Sequence, residues 1–282
     1  MRMKAFLTLI RPVNSLMVGF AVIIGALVAN PNLFNPLNFI LGFFTGFLIS
    51  SYSMVVNDYY DIEVDKINNP NRPLAKGRVR KKEALIFSLL LLISGLYLSF
   101  LTSFENFIIA SLFALLAWIY NYKAKSLGLL GNSIVSLSVA IPYLYGGMMV
   151  NGLKEPLIWF LALTSFLASM GREVIKTIGD VKGDKLRKVR SLAITLGKRG
   201  ASKVGVIFFL LAVISTSFPL ILNLVGKTFL ILVTFPNLLF LYLSYSILKD
   251  YSEENSRRVK NLALFGMLLG LLAFLIGGLV RY

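Results

Sequence analysis

Residues 57–65 read Asn57-Asp58-Tyr59-Tyr60-Asp61-Ile62-Glu63-Val64-Asp65, directly after a long apolar run. Each residue of an α-helix turns by about 100°. Asp58, Asp61 and Asp65 then fall within roughly 60° of one another, while Glu63 points away. Three carboxylates on one face repel each other unless a cation sits among them. Hard divalent ions suit such a set, because they take oxygen ligands and often bridge to phosphate. A second group, Asp180 and Asp184, stands at i and i+4, with Glu173 and Lys176 on the same helical arc. Together the two groups use seven of only 13 acids in the chain.

The surrounding composition is that of a membrane protein. The 282 residues are 57% hydrophobic and 15% charged, against about 25% charged in soluble domains, and the mean hydropathy is +0.77. With no cysteine and no histidine, disulfides, thiolate nucleophiles, imidazole bases and cysteine–histidine zinc sites are excluded. Acid–base or metal chemistry must use carboxylates, amines, guanidinium, hydroxyls and amides. Arg11 interrupts the apolar amino-terminal stretch and no small-residue cleavage site follows, so the segment reads as retained.

Working outward, the apolar runs predict an all-α polytopic chain of nine spans, near 14–29, 38–56, 84–101, 106–121, 129–149, 157–176, 201–221, 228–248 and 260–280, each about long enough to cross a bilayer. Lysine and arginine test the count independently. Only Lys154, Lys227 and Arg281 of the 29 basic residues fall on one side of this topology. The positive-inside rule then puts the amino terminus and both acidic groups on the cytoplasmic side and the carboxyl terminus outside. The net charge of +16 is mostly topogenic, with some attraction to anionic membrane lipids, and it gives no reason to invoke nucleic acid. The groups recur four spans apart, which suggests a single domain, 1–282, built from a weak parallel repeat of about 1–125 and 126–250.

Lys66 to Arg78 carries Asn68, Asn69, Pro70, Asn71, Pro73 and Gly77 and reads as a loop. Its Arg72, Lys76 and Arg78 could donate to an anion. After the second group, Lys182, Lys185, Arg187, Lys188 and Arg190 repeat the pattern. Most of these residues are accounted for by orientation alone, and one acid at a span end would be ordinary. Two matched acidic sets with basic loops at a membrane boundary suggest a phosphate or pyrophosphate ligand held through Mg2+, its apolar tail in the bilayer. Asn14, in the first span, serves equally as a helix contact or a ligand contact.

Asn57-Asp58-x-x-Asp61-x-x-x-Asp65, followed by Asn71-Arg72-Pro73-Leu74, resembles the first motif of the UbiA superfamily of intramembrane prenyltransferases. Glu173-x-x-Lys176 with Asp180-x-x-Gly183-Asp184 resembles the second. Arg11-Pro12-x-Asn14 and Tyr120-x-x-Lys123 also match recurrent positions. The resemblance covers nearly the whole chain. It implies helices ringed around a central cavity that opens to the cytoplasmic side, with Mg2+ on the aspartates holding a prenyl diphosphate donor. Loss of diphosphate leaves an allylic cation that an acceptor captures. On this reading Asp58, Asp61 and Asp65 form one metal site and Asp180 with Asp184 the other. Asn57 orients the first site, and Arg72, Lys123 and Lys176 contact the diphosphate, with Asn14, Tyr120 and Glu173 among the substrate-binding positions. Many relatives carry an aspartate where this chain has Thr177, so one ligand of the second site is in doubt.

Within the superfamily the first motif is most similar to archaeal enzymes that prenylate a lipid-phosphate acceptor, the glycerol hydroxyl of geranylgeranylglyceryl phosphate. An aromatic acceptor such as 4-hydroxybenzoate or a naphthoate is the alternative. A cation-coupled transporter would place carboxylates near the bilayer midplane, and here they stand at span ends. A phosphotransferase acting on nucleotide-activated alcohols needs an Asp-Gly pair, and this chain has none.

Overall fold

A computed structural model describes residues 2–33, 35–186 and 189–280. Of the basic residues counted above, the side chains of Lys182, Lys185, Arg187, Lys188 and Arg281 lie outside the described ones. The described residues form helices joined by turns and loops, without a strand. A short α1 (Arg2–Leu9) precedes α2 (Pro12–Ala29) and α3 (Pro36–Tyr60), and α4 (Ile62–Asn68) follows at once. Next come α5 (Lys81–Thr102), α6 (Phe104–Tyr122), a 3-10 turn (Ala124–Ser126), α7 (Leu129–Met149) and α8 (Pro156–Leu186). After these stand α9 (Leu192–Thr195), α10 (Gly197–Ser215), α11 (Phe218–Ile221), α12 (Lys227–Lys249) and α13 (Glu253–Leu279).

Nine of the described helices are long and apolar enough to span a membrane, as the apolar runs predict. The ends differ because helices continue through charged interfacial turns that hydropathy excludes. The ninth span starts at Glu253, not near 260, with Ser252 accepting from the Asn255 backbone N–H as its cap. The sixth runs on past residue 176 to Leu186, so the second acidic group extends the spanning helix itself. After α3, α4 carries helix through Lys66, where the sequence predicts a loop, and the Glu63–Lys66 ion pair of 2.9 Å spans that added turn.

The spans close a ring in chain order. α2 packs on α3, α3 on α5, α5 on α6, α6 on α7, α7 on α8, α8 on α10, α10 on α12, α12 on α13, and α13 returns to α2. Across the ring, α2 also meets α7 and α8 meets α13. The α2–α7 crossing is close because both helices offer glycine. A Cβ at Gly25 would strike the Tyr143 backbone, and one at Gly146 would strike Val22 and Ala26. Without a hydrophobic drive between helices in lipid, this backbone-to-backbone approach supplies the packing.

Three buried apolar groups follow. Val55, Leu91 and Ala114 belong to one that ties α3, α5 and α6. Ile175, Phe209, Leu243 and Ala263 join α8, α10, α12 and α13. Leu157, Phe229 and Phe274, with Val28, form the seam between α2, α8, α12 and α13. The outer faces keep large apolar residues exposed, Ile93, Tyr97, Ile231 and Phe235 among them, as a lipid-facing surface requires.

Candidate active site

One end of the ring is hollow. A cavity of about 390 Å3 is lined from the start of α2, the end of α3, α4, the end of α6, the start of α7 and the end of α8. All of these ends lie on the side of the bundle that carries the basic loops. Asp61, Asp65, Asp180 and Asp184 share its wall with Asn57, Arg72, Tyr120, Glu173, Lys176 and Thr177. The two acidic groups, more than a hundred residues apart in the chain, thus face one space.

The first group is not the single-faced triad that an unbroken helix predicts. α3 stops at Tyr60, and Asp61 leaves helical geometry with φ −91° and ψ 6°. Asp61 is thereby set apart from Asp58 and Asp65, which stay together. Asp58 is buried and stays behind the cavity wall, where Arg11 Nη2 reaches its Oδ1 at 2.6 Å and Arg72 Nη1 at 3.1 Å. The same Arg72 nitrogen donates to Asp65 Oδ2 at 2.6 Å. Asp61 turns instead to Lys125, with which it forms an ion pair. Glu63 points away, as expected. It pairs with Lys66, whose hydrogen bond and charge hold its carboxyl below the usual range.

Arg11 reaches Asp58 from an unusual backbone. Its φ of 46° lies in the left-handed region, which costs a non-glycine residue about 1–3 kcal/mol. The buried carboxylate offsets that cost. Asn57 completes the corner, donating from Nδ2 to Asn121 Oδ1 at 2.8 Å. Asn121 in turn donates to the Ala117 carbonyl at 2.8 Å. The amide is therefore pinned by α6.

On the opposite wall, Glu173 is buried between two cations, Arg172 at 2.5 Å and Lys176 at 3.0 Å. Thr177 donates to the Val174 carbonyl at 2.7 Å, one turn back. Asp180 is exposed and Asp184 half-buried on successive turns beyond it.

Two expected contacts are not made. Asn14 is exposed on α2 and does not line the cavity. Lys123 is exposed too. It ends α6 with φ −143°, and the 3-10 turn after it swings Lys125 inward in its place. Of Tyr120-x-x-Lys123, Tyr120 lines the cavity and Lys123 does not. Lys125, Arg11, Asn69, Asn121, Asn132 and Ser191 are cavity residues that the sequence reading did not place in the site. Only the cation before Pro12 gave a signal for one of them.

Whether these residues suit a divalent ion is decided by donor type and spacing. Every candidate donor is oxygen, from Asp61, Asp65, Asp180 and Asp184, as a hard cation requires. Among the described residues no three acids are grouped closely enough to hold an ion by themselves. The walls therefore supply part of a coordination shell, and water and ligand phosphate would complete it. Magnesium is commonly bound in this manner. Five carboxylates and four cationic side chains line the cavity. Two divalent ions would turn that surplus of one negative charge into about three positive, which a diphosphate then neutralises.

Known proteins resemble this chain over nearly its whole length. A family model described as the UbiA prenyltransferase family matches residues 18–272. Digeranylgeranylglyceryl phosphate synthase of Archaeoglobus fulgidus is 36% identical over 279 residues, covering 98% of this chain and 95% of the relative. The enzyme of the same name from Thermococcus kodakarensis is 35% identical, with both chains covered in full. A solved structure described as giving insight into digeranylgeranylglyceryl phosphate synthase in membranes superposes with a TM-score of 0.86 at 35% identity, over 99% of each chain. A UbiA homolog from Archaeoglobus fulgidus bound to GPP and Mg2+ shares the fold, with a TM-score of 0.71 at 16% identity over 96% of this chain and 99% of that one.

Proposed function

We propose that this chain, which belongs to the UbiA prenyltransferase family, transfers a geranylgeranyl group from its diphosphate to the glycerol hydroxyl of geranylgeranylglyceryl phosphate. The observation that carries this reading is the sharing of one cavity by Asp61, Asp65, Asp180 and Asp184 at the basic end of the ring. The acceptor comes from full-length relatives named digeranylgeranylglyceryl phosphate synthase.

Asp61 and Asp65 from one wall and Asp180 and Asp184 from the other would hold Mg2+, which supplies positive charge to the diphosphate as it departs. Arg72, Lys125 and Lys176 line the same cavity and would offset charge that develops on the departing diphosphate. The carbon–oxygen bond at C1 of the donor breaks and leaves an allylic cation. The acceptor hydroxyl oxygen bonds to C1, and its proton goes to a cavity carboxylate or to the released diphosphate. Phe113 lines both this cavity and an adjoining apolar cleft walled by Val18, Val22, Ile49, Ile109 and Ile141. That cleft would point the prenyl chain away from the polar end, where water would otherwise capture the cation. The excess of lysine and arginine at the cavity end supports a cytoplasmic mouth.

Purified protein in lipid, given geranylgeranyl diphosphate and Mg2+, should release diphosphate with geranylgeranylglyceryl phosphate as acceptor. 4-Hydroxybenzoate and a naphthoate should give no product. Product from the aromatic acids alone would overturn the assignment.

A further inference from the structure

The charged groups on the cavity wall are largely committed to one another. Arg11 and Arg72 serve Asp58 and Asp65, Lys125 serves Asp61, and Lys176 serves Glu173. One corner has a different chemistry. There the 3-10 turn and the start of α7 meet the chain segment that follows α8. Arg190 N donates to the Ser126 carbonyl at 3.2 Å. Gly128, with φ 58°, lies so close beneath the Arg190 carbonyl that any Cβ would collide with it. The two segments are thus fixed against each other by backbone contact.

Three neutral donor sets line the cavity at this corner. Ser191 is 2% exposed, and its hydroxyl has no hydrogen-bond partner. It stands at the cap position of α9, yet makes no capping bond, which a serine there normally would. The Asn132 Nδ2 is also buried, without a partner, on the same wall. Beside them, Gly128 stands at the cap position of α7 with no side chain to cap it, and the first backbone hydrogen bond runs from Asn132 N to the Gly128 carbonyl. The N–H groups of the first turn of a 21-residue helix carry partial positive charge and suit an anion. Buried polar groups without partners are rare in folded proteins and call for an explanation.

We infer that Ser191, Asn132 and the amino-terminal turn of α7 form the subsite for the phosphate monoester of the acceptor, apart from the metal-bearing walls that take the donor diphosphate. The inference rests on the lipid-phosphate acceptor proposed above. Neutral donors fit this role. A second phosphate must be held beside the first, and hydrogen bonds from a helix terminus hold it without drawing cations away from the carboxylates. Because the Ser191 hydroxyl has no partner in the protein, its loss should weaken acceptor binding without weakening the fold.

Steady-state kinetics with both substrates tests this in Ser191→Ala, Asn132→Ala and Asn132→Asp. A lost hydrogen bond to a charged group predicts a rise in the acceptor KM of roughly ten-fold for Ser191→Ala and Asn132→Ala. Asn132→Asp, which adds like charge, should raise it further. The donor KM and the unfolding temperature should stay at wild-type values. An unchanged acceptor KM in all three variants would overturn the subsite, and so would an equal rise in the donor KM, which would give the corner to the diphosphate. Failure of the functional reading would be seen separately, in wild-type protein that uses no lipid phosphate at all.

Discussion

At the end of α3, Asp58 and Asp65 are buried and share Arg72, with Arg11 closing on Asp58 from the other side. At the end of α8, Asp180 is exposed and Asp184 half-buried on a helix that simply continues beyond its membrane span. Both regions carry aspartates at helical spacing beside basic residues, and their surroundings divide the labour between them. A buried carboxylate needs fixed countercharge, so much of the first group holds the cavity floor together. In the second group Asp180 is exposed and Asp184 stands on the cavity wall, so both face the space a ligand would fill. Similar motifs in a sequence therefore need not be equal partners in a site.

Removing Asp58 should affect the fold most. Asp58→Ala leaves Arg11 without its carboxylate and Arg72 with Asp65 alone, and breaking such a buried pair costs about 3 kcal/mol. Thermal unfolding in lipid should shift markedly downward, and an unchanged melting temperature would erase the distinction between the two regions. Asp180→Asn and Asp184→Asn should leave unfolding near wild type and lower kcat/KM by roughly 100-fold, the scale expected when a group that stabilises developing charge is lost. Equal destabilisation by Asp58→Ala and Asp184→Asn would make the regions alike after all.

The lysine pair after α6 sharpens the comparison at a smaller scale. Lys125→Met should lower kcat/KM by roughly ten-fold, since it removes one charge-assisted contact at the diphosphate end. Lys123→Met, with its side chain outside the cavity, should stay within about two-fold of wild type, as should Asn14→Ala. A larger effect from Lys123 than from Lys125 would contradict the inward turn at Ala124–Ser126.

Much of this architecture could be read from residue pattern alone. Nine apolar runs and the alternation of basic loops lead to nine spanning helices because a bilayer rewards both features independently of tertiary detail. The meeting of the two acidic groups was legible for a related reason: like charges concentrated at span ends need a shared compensating ligand. What the sequence could not reveal was the partition among the acids. Arg11 finds Asp58 across 47 residues and Lys125 finds Asp61 across 64. The second pairing brings together the helix break at Asp61 and the 3-10 turn after Lys123, and neither segment contains a proline or glycine to announce it. Ser191 was invisible for the same reason, since only its surroundings show that its hydroxyl is unused.

The central claim is that both acidic groups act on one diphosphate. Titration calorimetry of geranylgeranyl diphosphate against wild type, Asp65→Asn and Asp184→Asn, with and without Mg2+, tests it directly. Mg2+-dependent affinity should fall by at least about ten-fold in each variant, as loss of a charged contact implies. If either variant keeps wild-type affinity in Mg2+, the two walls do not share a ligand.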